Sequence, residues 1–307
     1  FHLLKKLTTI SMLKFLNKDK IKGFIELIRS TIIDFSKDLP LTHAAAFAYY
    51  SLLALVPLLY LSISFFGQFV GHDVMYNIII SLLTDYVGIS DLSGITSFLD
   101  EVDLGQGSVG IQILGGILLM FSCTAILNAL KKSINTFYGI TPSRKKQKRK
   151  IISSLIFRII SMLAIMAATI VIIVLYFAET VFLSIGNRFF EDMEMAHWIF
   201  SSAAQHGVPI ILNILIFTFV LKFLNDGVVR WKVAIRGAII TGFLLYLGQL
   251  LIKFYLSNYF FASGGGVAGT MLVLLVWVYY SSIIMFLGTK FTAEYGRLIN
   301  CPITPRD

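Results

Sequence analysis

The chain has 307 residues and a formal net charge of +9, with 57% hydrophobic and 14% charged residues. An ordinary soluble domain carries roughly 45–50% and about 25%, so this composition excludes a soluble globular enzyme and requires a chain that lies largely in a bilayer. Two cysteines, Cys123 in an apolar segment and Cys301 in a basic tail, imply no disulfide framework.

In chain order, residues 1–40 read as a cytoplasmic arm without the apolar run and cleavage site of a signal peptide. Within it Ile21, Phe24, Ile25, Ile28, Ile32 and Phe35 recur at helical spacing opposite Lys22, Glu26, Arg29 and Lys37. That pattern predicts an amphipathic helix on the membrane surface. Residues 41–289 form a six-span membrane domain, with spans over Leu41–Phe66, Val109–Leu130, Ile151–Ile185, Val208–Leu224, Gly237–Phe260 and Val267–Thr289. Short outer-face helices are expected over Val74–Val87 and Leu92–Val102, in the loop 67–108. Residues 131–150 are a basic loop and 290–307 a cytoplasmic tail. The fold class is therefore all-α, a polytopic six-helix bundle with amphipathic interfacial helices, and with no internal repeat one domain is expected.

Charge orients the bundle. Residues 1–40, 131–150, 222–236 and 290–307 hold 23 of the 26 Lys and Arg, whereas residues 67–108 hold six acidic residues and no basic one. The basic segments belong on the cytoplasmic side, with both termini inside. In the run Arg144, Lys145, Lys146, Lys148, Arg149 and Lys150, topology and contact with anionic lipid outweigh nucleic-acid binding, because no aromatic platform or recognition module accompanies it. Membrane lipids are the expected partners, specific nucleic acid is not, and self-association stays open.

Polar residues line up inside the spans. His43, Tyr50, Pro57 and Ser64 recur every seven residues and are expected on one inward seam, with a kink at Pro57. Arg158, Thr169, Tyr176 and Glu179 share a side of the third span. Gly242, Tyr246, Gln249, Lys253 and Ser257 share a face of the fifth, and Thr270, Trp277, Ser281 and Gly288 a face of the sixth. Such stripes either line a pathway or hydrogen-bond between packed helices. For Lys253, pairing with Glu179 and snorkelling to the outer headgroups are equal alternatives; Arg158 equally could snorkel to inner phosphates. No metal-ligand spacing, P-loop or nucleophile elbow occurs, so no catalytic residue, cofactor or metal is assigned. The acidic group Glu191, Asp192, Glu194 and His197 lacks the ligand logic of a metal site.

Three passages carry a resemblance. The first is Ala44-Ala45-Ala46-Phe47-Ala48-Tyr49-Tyr50-Ser51-Leu52-Leu53-Ala54-Leu55-Val56-Pro57. The second is Val229-Arg230-Trp231-Lys232 followed by Gly237-Ala238, and the third runs from Gly265 through Leu274-Leu275-Val276-Trp277-Val278-Tyr279-Tyr280-Ser281 to Leu287-Gly288 and Glu294. Together, over about residues 20–297, they resemble the YihY/BrkB family of bacterial inner-membrane proteins, formerly labelled ribonuclease BN. One departure is Leu224-Asn225-Asp226, where family members often have Pro-Asn. The resemblance implies six helices, both termini inside and a cytoplasmic-membrane address. The reading that follows is a transporter or lipid-translocating protein, not driven by ATP, with an amphipathic substrate. The alternative is a scaffold for envelope assembly, and a membrane-embedded hydrolase or ribonuclease ranks third.

Overall fold

In a computed structural model, the described residues are 22–61, 63, 67–84, 109–140, scattered positions between 163 and 188, 194–259 and 266–305. Long helices dominate because apolar segments of this length can satisfy their backbone groups only internally once water is excluded. They are α1 (22–37), α2 (Pro40–Leu61), α3 (Gly67–Val70), α4 (His72–Leu82), α5 (Val109–Tyr138), α6 (Glu194–Phe223), α7 (Trp231–Tyr259) and α8 (Gly266–Leu298). Every described position between 163 and 188 is also helical. Among the described residues, three stretches are long and apolar enough to cross a membrane: Ser202–Phe223, Trp231–Ile252 and Gly269–Leu298.

The helices outrun several sequence-based boundaries. The second expected span ends at Leu130, but α5 continues to Tyr138, so Lys131, Lys132 and Ser133 are helical and not part of a loop. The fourth expected span covers only Val208–Leu224, whereas α6 is 30 residues long and contains Pro209. Hydropathy marks where apolar composition stops, whereas a helix stops where its last carbonyls find other donors. In α5 that happens at Gly139, at φ 71. There the N–H of Gly139 bonds the carbonyl of Thr136 and the N–H of Ile140 that of Asn135, a glycine-ended C-cap. Asn300, at φ 54, ends α8 in the same way, with Cys301 N–H on the carbonyl of Gly296.

Five long helices share one end of the bundle, where α2 and α7 begin and α5, α6 and α8 finish. α8 is the hub and packs on α2, α5 and α7; α5 also packs on α2, and α6 on α7. The main core sits at this end. Phe137 of α5 stacks on Phe286 of α8 with centroids 5.1 Å apart, and Phe35 of α1 lies 5.4 Å from Phe137. Leu221, Val229, Val233, Ala234 and Ala238 close the same cluster. Tyr138 donates from its hydroxyl to the carbonyl of Leu221 at 3.0 Å, which ties α5 to α6. A two-residue antiparallel ladder, β1 (Gly227–Val228) with β2 (Thr304–Pro305), clips the tail onto the α6–α7 turn. That ladder is an addition to the expected all-α architecture.

α1 differs in detail from its expected face. Leu27 and Thr31 are buried and Phe35 joins the core, while Phe24, Ile25, Ile28 and Ile32 remain exposed. A helix with one narrow stripe on protein and a wider apolar face left open suits a bilayer surface. The long helices likewise turn large apolar side chains outward: Phe219 on α6, Phe243 and Leu251 on α7, Leu272 on α8. In water such an array would aggregate; in lipid it is the solvent-facing surface.

α7 and α8 approach very closely. A Cβ on Gly237 would stand 2.0 Å from Thr292 Oγ1, one on Gly288 would stand 1.9 Å from Thr241 Oγ1, and one on Gly248 would overlap the hydroxyl of Tyr280. Only hydrogen fits there. Thr241 donates to the carbonyl of Gly237 and Thr292 to that of Gly288, each four residues back on its own helix. Each Thr thus donates its hydroxyl proton along its own helix while the Oγ1 itself packs against the glycine opposite, the small-residue packing that lets membrane helices meet.

Candidate functional site

The polar stripes separate into different seams. On α7, Gly242 lies against Ile214 of α6, and Tyr246 is buried with its hydroxyl hydrogen-bonded to His206 Nδ1 of α6. Gln249 is half-buried. On α8, Gly288 meets Thr241 of α7, while Trp277 and Ser281 are half-buried with Nε1 and Oγ lacking hydrogen-bond partners among the described residues. Lys253 belongs to α7, but its side chain lies outside the described residues, as does that of Pro57; α2 continues past position 57 to Leu61. Ser64, Arg158, Tyr176 and Glu179 lie outside the described residues, as do Arg144, Lys145, Lys146, Lys148, Arg149 and Lys150. Gly242 and Tyr246 thus meet α6, whereas Gly288 meets α7.

His43 and Tyr50 are brought together elsewhere. Thr42, His43, Ala46 and Tyr50 of α2 face Ala125, Asn128, Ala129, Lys132 and Ser133 of α5 around a partly open cavity of about 460 Å³. Ala46, Ala125 and Ala129 create the space, because helices in contact elsewhere fill it with larger side chains. Tyr50 is 36% exposed and forms part of the groove wall. His43 sits deeper, edge-on to Phe137 at 5.3 Å and to Phe286 at 6.4 Å.

The chemistry of the pair His43–Ser133 can be worked out from its partners. His43 Nδ1 is 2.8 Å from Ser133 Oγ, and Ser133 Oγ donates to the carbonyl of Ala129, also at 2.8 Å. A hydroxyl has one proton to give. With that proton on Ala129, His43 must donate through Nδ1–H, a tautomer assigned from the network. In that arrangement the proton of Ser133 lies on the Ala129 carbonyl rather than on the imidazole, and among the described residues no carboxylate lines the groove to orient the histidine. The arrangement is a polar binding wall. Among the described residues no group of three His, Cys, Asp or Glu could hold a metal.

Residues 131 and 132 behave oppositely. Lys131 pairs with Asp226 at 2.7 Å, and Asp226 also accepts from Asn135 at 2.9 Å and returns its backbone N–H to Asn135 Oδ1. Lys132, one residue on, is exposed at the groove and forms no ion pair among the described residues. Asn128, Lys132 and Ser133 escaped sequence reasoning because the last two lay beyond the hydropathy boundary. The signal that could have found them is the helical spacing Ala125–Asn128–Ala129–Lys132, which continues one face of span two.

An array of long helices with apolar exteriors and polar groups confined to seams defines a polytopic helical membrane protein. The chain belongs to the virulence factor BrkB family, whose sequence profile matches residues 32–301. It is 25% identical over 270 residues to a UPF0761 membrane protein of Stenotrophomonas maltophilia strain R551-3, covering 86% of this chain and 59% of the relative. A UPF0761 membrane protein of Alkalilimnicola ehrlichii is 23% identical, over 84% of this chain and 55% of its own length. The chain thus spans little more than half of these relatives. The ribonuclease-like protein YfkH of Bacillus subtilis is 24% identical, over 81% of this chain and 88% of its own length. No solved structure matches the chain.

Proposed function

We propose that the chain crosses a bacterial cytoplasmic membrane six times, with both termini inside, and moves an amphipathic molecule across or within that membrane without ATP. Two observations support the topology. α2 and α7 start at the end where α5, α6 and α8 finish, so the chain between 139 and 193 has to travel back to the far end. The described residues Lys131, Lys132, Lys222, Arg230, Lys232 and Arg297 lie at the shared end, which fits the positive-inside rule for a cytoplasmic face.

The transport reading rests on the groove between α2 and α5. It is partly open and combines an imidazole, three hydroxyls, an amide and a lysine with alanine walls. A groove between two helices with such a mixed lining admits a molecule that is itself partly apolar. Reconstitution tests this. The purified chain in phosphatidylethanolamine–phosphatidylglycerol vesicles is expected to speed the exposure of inner-leaflet fluorescent lipid to an external quencher. A stable, correctly inserted protein that leaves the rate at the protein-free value overturns it.

The tight α7–α8 seam supports a second reading, a scaffold in envelope assembly, because Gly237, Gly248 and Gly288 leave no room for a substrate there. Under that reading groove substitutions are silent and changes in 67–108 are not. The hydrolase reading has less support: the name of YfkH is set against a serine whose proton is already committed.

A further inference from the structure

We infer that the α2–α5 groove is a binding site for one anionic glycerophospholipid of the leaflet at the basic end, its phosphate at Lys132 and an acyl chain along the exposed faces above. This deepens the transport reading by naming its substrate class, and it depends on that reading for orientation only.

Three features of the groove select this occupant. The first is charge. Lys131 is neutralised by Asp226, but among the described residues Lys132 stands at the groove without an ion pair and no carboxylate lines the cavity. A cation so placed at a membrane surface favours an anionic headgroup over a zwitterionic one. The second is the hydrogen-bonding set: Thr42, Asn128 and His43 offer donors and acceptors to glycerol or phosphate oxygens.

The third is what lies above. At helical spacing, Leu53 continues the Ala46–Tyr50 face of α2, and Phe121 and Leu118 continue the Lys132–Asn128–Ala125 face of α5. Leu53, Phe121 and Leu118 are 52%, 50% and 53% exposed. The seam therefore passes from polar to apolar along its length. From His43 to Leu53 it rises about 15 Å, half of the roughly 30 Å hydrocarbon core. That is the depth of one leaflet, and it suits an acyl chain better than a free anion, which has no use for an apolar track.

Native mass spectrometry of the full chain in mild detergent, with phosphatidylglycerol added and then diluted, tests the assignment. The parent is expected to retain one phosphatidylglycerol in preference to phosphatidylethanolamine. Lys132→Gln, at an exposed position, should weaken retention roughly fivefold, and Ala46→Phe, which fills the groove, should abolish it. Excess inorganic phosphate should leave the lipid bound. Unchanged retention in Lys132→Gln overturns the inference even where Ala46→Phe fails to fold, and so does retention by a folded Ala46→Phe. Displacement by inorganic phosphate overturns the lipid in favour of a free anion. Retention without lipid movement in vesicles removes the transport reading and leaves this site; movement without retention does the reverse.

Discussion

Lys290 Nζ lies 2.7 Å from Asp38 Oδ2, joining the end of α1 to α8 across 252 residues of sequence. The lysine side chain is 8% exposed and the aspartate 26%. A lysine so enclosed must be paired, because an unpaired buried cation is far more costly than a buried pair. The contact fixes α1 against the bundle at its basic end. Lys290→Met alone should destabilise the protein by roughly 2–4 kcal/mol, because Asp38 loses its partner. The double variant with Asp38→Leu should recover much of that loss. Thermal unfolding in detergent checks both, and a double variant no better than the single removes the pair from the account.

The α7–α8 seam makes a steric prediction. Gly288→Ala places a Cβ 1.9 Å from Thr241 Oγ1, and the helices must part, at a cost of about 1–3 kcal/mol. Adding Thr241→Ala removes the hydroxyl but leaves its Cβ only 2.7 Å away. Rescue should therefore be partial. Full rescue, or a neutral Gly288→Ala, means that the seam is looser than described.

Asn135 holds the α6–α7 turn through two hydrogen bonds, donating to Asp226 Oδ2 and accepting from the Asp226 N–H, each 2.9 Å. Asn135→Ala should cost about 1–3 kcal/mol. Asn135→Asp keeps the size but sets a second carboxylate against Asp226, and should be the worse of the two. The order of their melting temperatures reads this directly.

The native cysteines report the topology. Cys301 is half-exposed beside Arg230 at the basic end, whereas Cys123 is buried within α5. A membrane-impermeant maleimide should label Cys301 in inside-out vesicles and not in intact cells. Labelling from outside would invert the proposed orientation.

At the surface of α1, Lys37 donates to Asp34 at 2.7 Å. This hydrogen bond, against the opposing effect of burial and with lesser help from the lysine's charge, holds the Asp34 carboxyl below its ordinary 3.8, and the same bond raises Lys37 above 10.5. The carboxylate's contribution is present above 3.8 and fades as pH falls through its lower folded value; the lysine's fades as pH rises through its raised value. Carboxyl resonances followed by NMR should show Asp34 returning toward 3.8 in Lys37→Gln.

Sequence by itself determined that this is a helical membrane protein of the BrkB family and which faces of its helices are polar. Apolar length and composition are local properties, and the motif around Ala44–Pro57 is contiguous. It did not determine what those faces meet. Tyr50 and Tyr246 looked alike as polar residues in spans, yet one walls an open groove and the other is buried against His206. Helical periodicity gives a residue's angle on its own helix; which neighbour stands at that angle depends on close approaches made far away in the sequence. Those approaches are the alanines between α2 and α5, the glycine–threonine contacts between α7 and α8, and the pair of Asp38 with Lys290. The groove exists because small side chains from two helices come face to face, and only the tertiary structure decides that they do.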